Sequence, residues 1–280
     1  MNLRQLWLLA LLLSAFPISV HAQTVSQPST LVFQSGSLKL RADLWRPSGS
    51  GPFPAILFSP GSGQNPPPHD LGRLFVKHGY VFLALYRRGQ GLSADQGNEA
   101  GSLMRGERNT NGDEAANRLQ MQLLEGIELQ QQRDALAVLR SLRFVDPRRV
   151  AIAGFSFGGS LALLHAEEDP TIRAVINFGG AAGSWKRSPQ LRERLISAAR
   201  KITVPVFFVF AANDHTTLPA EVLHAELARA RPNNSTVHHL KIYPALGETV
   251  QEGHHLIYIS IPTWERDVID FLNTHTKPVP

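Results

Sequence analysis

Residues 154–158 read Gly-Phe-Ser-Phe-Gly, and their flanks leave this chain few folds to choose from. A short apolar run, Arg149-Val150-Ala151-Ile152-Ala153, precedes them and reads as a buried parallel strand. Gly159-Ser160-Leu161-Ala162-Leu163-Leu164-His165-Ala166 follows and reads as a helix. A strand, a sharp turn carrying Ser, then a helix is the setting of a nucleophile elbow. Gly154 and Gly158 lack a Cβ, so strand and helix can approach closely around a strained Ser156. The serine then stands at the sheet's carboxyl edge with a helix N-terminus behind it. The plainer alternative is a βα turn in which Ser156 only caps the helix.

A serine hydroxyl is a poor nucleophile at neutral pH. It needs a base within hydrogen-bond reach, and the base needs an orienting carboxylate. With an elbow of this kind the partners follow in the order Ser, acid, His, each after a later strand. Ala211-Ala212-Asn213-Asp214-His215 follows the apolar run Val206–Phe210, so Asp214 is the candidate acid. Its other reading is as a cap for the helix beginning near Pro219. Glu221 already lies inside that helix and is the lesser choice. Glu252-Gly253-His254-His255 precedes the terminal helix and supplies the candidate base. His254 is favoured because Gly253 frees the backbone just before it; His255 stays open. His215 can line the site, and His238 and His239 fall inside a strand. For an oxyanion, two backbone N–H donors are needed. They are expected from Phe157 and from the glycine-rich Ser59-Pro60-Gly61-Ser62-Gly63, where Ser62 is preferred and Gly61 comes next. That loop lacks the Gly-Lys-Ser/Thr ending of a phosphate loop. No H-x-x-H or H-E-x-x-H spacing appears, so neither metal nor other cofactor is expected.

The rest of the chain alternates strands and helices. Leu38–Trp45 alternates apolar and polar and reads as an edge antiparallel strand. Continuous apolar strands are expected at 54–58, 80–85, 174–178, 206–210 and 237–242, with helices at 71–79, 115–142, 219–230 and 263–273. Such alternation means a mostly parallel twisted sheet with helices on both faces. Residues 23–35 read as a flexible polar start. Gly89–Asn117 and Gly179–Lys201 do not fit the rhythm. Both follow strands at the carboxyl edge, where loops build binding sites, so both are candidates for a substrate-facing rim.

Met1-Asn2-Leu3-Arg4 followed by the apolar Leu6–Val20 and by Val20-His21-Ala22 reads as a secretory signal peptide, residues 1–22. The apolar core is about 15 residues against the roughly 20 that a span needs. The mature chain, residues 23–280, is expected to form one domain, periplasmic or secreted, with no membrane span after cleavage. With no cysteine among 280 residues, thiolate catalysis and disulfides are excluded. The formal charge of +5 is spread in short pairs such as Arg87-Arg88 and Lys186-Arg187, with no basic run interleaved with aromatics. Nucleic acid is therefore not an expected partner.

Taken together, these motifs resemble the α/β-hydrolase superfamily, and within it the dienelactone-hydrolase-like branch. The resemblance spans roughly residues 30–275. It rests on Gly51-Pro52-Phe53-Pro54-Ala55 leading into Ser59–Gly63, on Tyr86-Arg87-Arg88-Gly89-Gln90-Gly91-Leu92-Ser93, on Asp146–Gly159 and on Gly253-His254. Dienelactone hydrolases carry a cysteine nucleophile where this chain has Ser156, which sets dienelactone itself aside as a substrate. Many relatives begin the oxyanion loop with a histidine, here Pro60. The Arg88–Ser93 block looks like the family's R-G-x-G-x-S turn and reads as structural. The resemblance implies an α/β-hydrolase fold and a serine hydrolase cleaving a small-molecule ester or related acyl bond through an acyl-Ser156 intermediate. Two alternatives stay open: a peptidase of the prolyl-oligopeptidase type, and a non-catalytic binding protein on the same scaffold. Acyl and alcohol specificity and oligomeric state are not legible.

Overall fold

The computed structural model describes residues 27–276; the expected signal peptide lies outside them. Eight strands form one sheet: β1 (Ser29–Ser35), β2 (Leu38–Trp45), β3 (Phe53–Ser59), β4 (Val81–Tyr86), β5 (Val145–Phe155), β6 (Val175–Phe178), β7 (Val206–Ala211) and β8 (His239–Tyr243). Their spatial order is β1-β2-β4-β3-β5-β6-β7-β8. β1, β2 and β4 pair antiparallel, and every pairing from β4 through β3 to β8 is parallel. The helices are α1 (His69–Lys77), α2 (Ala100–Glu125), α3 (Ile127–Ser141), α4 (Phe157–Glu168), α5 (Pro189–Lys201), α6 (Leu218–Ala230), α7 (Val250–His254), α8 (Leu256–Ile259) and α9 (Ile261–His275). This is an α/β-hydrolase fold.

Side chains two apart on a strand share a face, and the continuous apolar strands therefore feed two cores. Ala55 and Leu57 of β3 pack on the side covered by α2 to α6, with Leu124, Leu136, Leu161 and Leu223. Ile56 and Phe58 of the same strand face α1, α8 and α9, with Phe75, Trp264 and Phe271.

Several expected elements shift. β2 is not the edge, because β1 lies outside it. Residues read as a flexible start instead pair with β2, with Phe33 in the core, Leu31 packed against it and Val32 exposed between them, and Gly36 at φ 57° closes a two-residue hairpin onto β2. The single helix expected over 115–142 is two helices, broken where Gly126 leaves helical geometry at φ −109°, ψ −117°. The segment 89–117 is largely helical from Ala100 onward, with a kink where Gly112 adopts φ 84°. The strand expected at 237–242 begins at His239, after a 3₁₀ stretch over Pro232–Val237.

Two buried histidines lie away from the sheet's carboxyl edge. His165 Nδ1 accepts from the Gln132 amide at 3.1 Å, and burial lowers its pKa to about 4. His238 is only 4% exposed, both ring nitrogens lack a partner among the described residues, and burial beside His224 lowers its pKa to about 4. The unfolded chain binds these protons below about pH 6.5, the folded chain only below about pH 4. Stability is thus full above pH 6.5 and falls as the pH drops toward 4, by roughly 3 kcal/mol at most for each ring. Denaturant unfolding at pH 7 and pH 4.5 is expected to show this loss. Replacing His238 with Leu should flatten the slope; an unchanged slope in both His165→Leu and His238→Leu would contradict the assignment.

Candidate active site

The sheet's carboxyl edge gathers residues from four separate loops. β5 ends at Phe155 and α4 begins at Phe157, leaving Ser156 between them at φ 53°, ψ −113°. An L-residue reaches that conformation only when its surroundings impose it. Here the Ser156 N–H donates to the Phe178 carbonyl of β6 at 2.8 Å, and its carbonyl accepts from Gly159 and Ser160. The two flanking glycines are required by contact. A Cβ on Gly154 would collide with the Gly158 carbonyl, and one on Gly158 with the Ser59 and Pro60 carbonyls. The elbow is thereby pressed against the loop that follows β3.

Asp214 follows β7 and its carboxylate is almost fully buried. It accepts the His215 N–H at 2.6 Å and faces His254 Nδ1 at 2.7 Å. His254 Nε2 lies 3.0 Å from Ser156 Oγ. With the proton on Nδ1 donated to Asp214, Nε2 is left to accept from the serine hydroxyl. His254 ends the one-turn helix α7 rather than standing on an open loop. A capping box fixes that turn: Thr249 accepts from the Glu252 N–H, and Glu252 accepts from the Thr249 N–H. Gly253 sits inside this helix, where a Cβ would collide with Asn213. Its role is therefore close packing rather than backbone freedom.

Asn213 is the residue that sequence reasoning missed. Its amide donates to the Leu246 and Thr249 carbonyls at 2.9 and 2.8 Å and accepts from the Leu246 N–H at 2.8 Å. These bonds tie the loop carrying Asp214 to the segment carrying His254. Only its place beside Asp214 hinted at it. His255 turns away, its ring nitrogens on the Gln251 amide and its ring 5.6 Å from that of Phe155. Glu221 accepts from Thr217 at 2.6 Å on the first turn of α6 and does not join the cluster.

Ser156, Phe157, Ser62 and His254 line one cavity of about 320 Å³. Its outer wall comes from the two segments outside the core rhythm: Met104, Arg105 and Arg108 of α2, and Gly183, Ser184 and Arg187 after β6. The Asn117 amide donates to the Arg187 carbonyl at 2.8 Å, and the Gln120 amide to Ser184 Oγ at 3.1 Å, which fastens the two segments together. Arg105 and Arg108 pair with Glu99 and Asp113, whereas Arg187 makes no ion pair among the described residues. Burial and the Arg108 charge hold the Arg187 guanidinium below its ordinary pKa. His215 also lines the cavity; burial and the neighbouring His254 lower its pKa. Asp214, His215 and His254 offer donor atoms within 4.8 Å of one another, a spacing a metal could use. Both His254 nitrogens are already engaged, so a metal there would have to displace the Asp214 or Ser156 bond.

Comparison with known proteins matches residues 40–249 to the dienelactone hydrolase family. The acetyl esterase Axe7A of Xylanibacter ruminicola is 24% identical over 240 residues, covering 72% of this chain and 54% of that protein. The quorum-quenching protein AidA of Acinetobacter baumannii is 29% identical over 206 residues, covering 68% of this chain and 60% of its own length. The chain thus spans little more than half the length of these two relatives. Among solved structures, dienelactone hydrolase from Anabaena variabilis superposes with a TM-score of 0.60 at 18% identity, over 90% of this chain and all of that one. At that identity the likeness speaks for the fold alone.

The geometry separates the adjacent histidines. Only His254 reaches both Ser156 and Asp214, so His254→Ala is expected to cost several orders of magnitude in ester turnover. His255→Ala should cost less than about tenfold. A dead His255→Ala beside an active His254→Ala would reverse the assignment.

Proposed function

The chain belongs to the dienelactone hydrolase family, and from that premise we propose that it is an exported serine hydrolase cleaving carboxylic esters that carry an anionic group. The observation that carries the reading is the hydrogen-bonded line from Asp214 through His254 to Ser156 at the floor of the cavity. In the proposed reaction, Ser156 Oγ attacks the ester carbonyl carbon as His254 Nε2 takes its proton. Asp214 stabilises the resulting imidazolium. The carbonyl electrons move to oxygen, where the N–H groups of Phe157 and Ser62 meet the negative charge. Collapse expels the alcohol, which receives the proton from His254, and leaves an acyl-Ser156. Water then repeats the sequence on the acyl group and releases the acid.

The anionic preference is supported by the cavity wall. Arg105, Arg108 and Arg187 line it and, among the described residues, no carboxylate does. A guanidinium without an internal counter-ion, in a partly desolvated mouth, is stabilised by an anionic substrate group. Export is proposed from residues 1–22.

Four measurements test this. Ser156→Ala is expected to lose labelling by a fluorophosphonate probe and essentially all ester turnover; retained turnover would remove Ser156 from the mechanism. The mono-p-nitrophenyl ester of adipic acid should have about tenfold higher kcat/KM than neutral p-nitrophenyl heptanoate at low salt. Arg187→Gln should narrow that ratio, and equal rates for the two esters in the wild type would discard the anionic preference. Turnover of peptide anilides with no esterase activity would move the reading to the peptidase alternative. Protein recovered from the native host should begin near Gln23, and an intact Met1 would refute export by this signal.

A further inference from the structure

We propose that Arg87 and Gln90 are positioning residues that aim the oxyanion-binding N–H groups of the loop after β3, a role beyond the structural turn their motif suggests. The inference rests on the reading of Ser156 as nucleophile and adds a device to it.

Every carbonyl of the loop from Pro60 to Gly63 is held by a hydrogen-bond donor. Arg87 is completely buried just after β4. Its Nη1 donates to Ser59 Oγ at 2.7 Å and to the Pro60 carbonyl at 2.9 Å, and its Nη2 to the Gly61 carbonyl at 2.7 Å. Gln90 Nε2 donates to the Gly61 and Gly63 carbonyls, both at 2.7 Å. Asn65 reinforces Gly63 at 2.7 Å, and the Gly101 N–H takes the Ser62 carbonyl at 2.8 Å.

The consequence follows from peptide geometry. The carbonyl of one residue and the N–H of the next share a planar trans unit and point in opposite directions. Fixing the Pro60 carbonyl fixes the Gly61 N–H. Fixing the Gly61 carbonyl fixes the Ser62 N–H, and Ser62 lines the cavity beside Ser156. Among the described residues neither N–H has an acceptor, whereas each of the four carbonyls has a donor. The Arg87 guanidinium also lies 5.3 Å from the ring centroid of Phe157, so it packs between the loop and the turn that carries the second expected donor. The planar fork matters here: a lysine could supply the charge but not bonds to two successive carbonyls and an ion pair at fixed angles. Glu128 Oε2, 2.7 Å from Arg87 Nε, holds the fork in register.

An oxyanion donor acts on the transition state, not on ground-state binding, so misaiming it lowers kcat and leaves KM. The test uses the full-length mature enzyme with p-nitrophenyl acetate, and a trifluoromethyl ketone, whose hemiketal oxyanion mimics the transition state. Gln90→Met leaves no buried charge and is expected to lower kcat about tenfold. Arg87→Lys and the paired Arg87→Met/Glu128→Gln variant should lower it about a hundredfold, within the range known for a lost oxyanion donor. In each case the ketone's Ki should rise by the same factor, KM should stay within about twofold, and the midpoint of the pH–rate profile should not move. If folded Gln90→Met and Arg87→Lys keep wild-type kcat and Ki while only their melting temperatures fall, the proposal is overturned. Should the double variant fail to fold, those two single variants decide. A wild type inert toward esters, or an active Ser156→Ala, would instead overturn the reading beneath it.

Discussion

The structure turns on one close approach, the backbone of Gly158 against the carbonyls that end β3. No side chain fits there. Because α4 begins this close to Ser59 and Pro60, the connection from β5 has a single residue in which to reverse, and Ser156 is driven to φ 53°. Such a conformation costs on the order of 1–3 kcal/mol and survives only when neighbours over-determine it. The Phe178 carbonyl and the first turn of α4 do so here. The result is functional geometry. Ser156 Oγ stands above the sheet edge, within reach of His254, and the loop that supplies Ser62 is in contact with the turn that supplies Phe157.

A second feature makes sense only beside the first. Arg87 and Glu128 form an ion pair with both side chains about 1% exposed. A pair buried this deeply gives little net stability over apolar residues of the same volume, because desolvation offsets the attraction. Its placement offers a better account than stability does. A packed apolar side chain at position 87 would fill the same space but leave the Pro60 carbonyl without a donor, costing about 1–3 kcal/mol, and the Gly61 carbonyl held by Gln90 alone. The loop would then relax toward other partners. The ion pair is the means by which a glycine-rich loop, with every conformational reason to wander, holds one shape.

What could be read from the chain divides along the same physical lines. The elbow, the order of its partners and the two-faced sheet were legible because each rests on local pattern: period-two burial, glycine spacing, an acid leaving a strand. The structure brings Ser156, Asp214 and His254 together as that pattern implies. Elements governed by long-range contacts were not legible. Leu31 and Phe33 look like part of a polar tail until β2 is there to pair with them. The helix α2 has little amphipathic pattern, and Met104, Arg105 and Arg108 of its first part face the cavity rather than the core, so that part read as an insertion while only the stretch from Ala115 read as helix. Asn213 has its meaning only through Leu246 and Thr249, more than thirty residues away. Gly253 was given the right neighbour and the wrong reason: packing against Asn213 fixes it, not freedom of φ.

Charge follows the same division. The formal +5 of the chain says nothing about substrate, since most arginines sit on the surface paired with carboxylates such as Glu168, Glu226 and Asp169. What counts is the placement of three of them. Arg105 and Arg108 come from one segment and Arg187 from another, and the bonds from Asn117 and Gln120 hold the two together across the mouth. In the proposed reaction their combined field favours an anionic ester and a developing oxyanion, but opposes the imidazolium that His254 would become. Distance resolves the conflict. Asp214 is buried 2.7 Å from Nδ1, where little water screens it, whereas Arg105 and Arg108 are partly exposed and already paired with Glu99 and Asp113, which weakens their reach. The site can therefore attract negative charge from outside while stabilising positive charge on its base within.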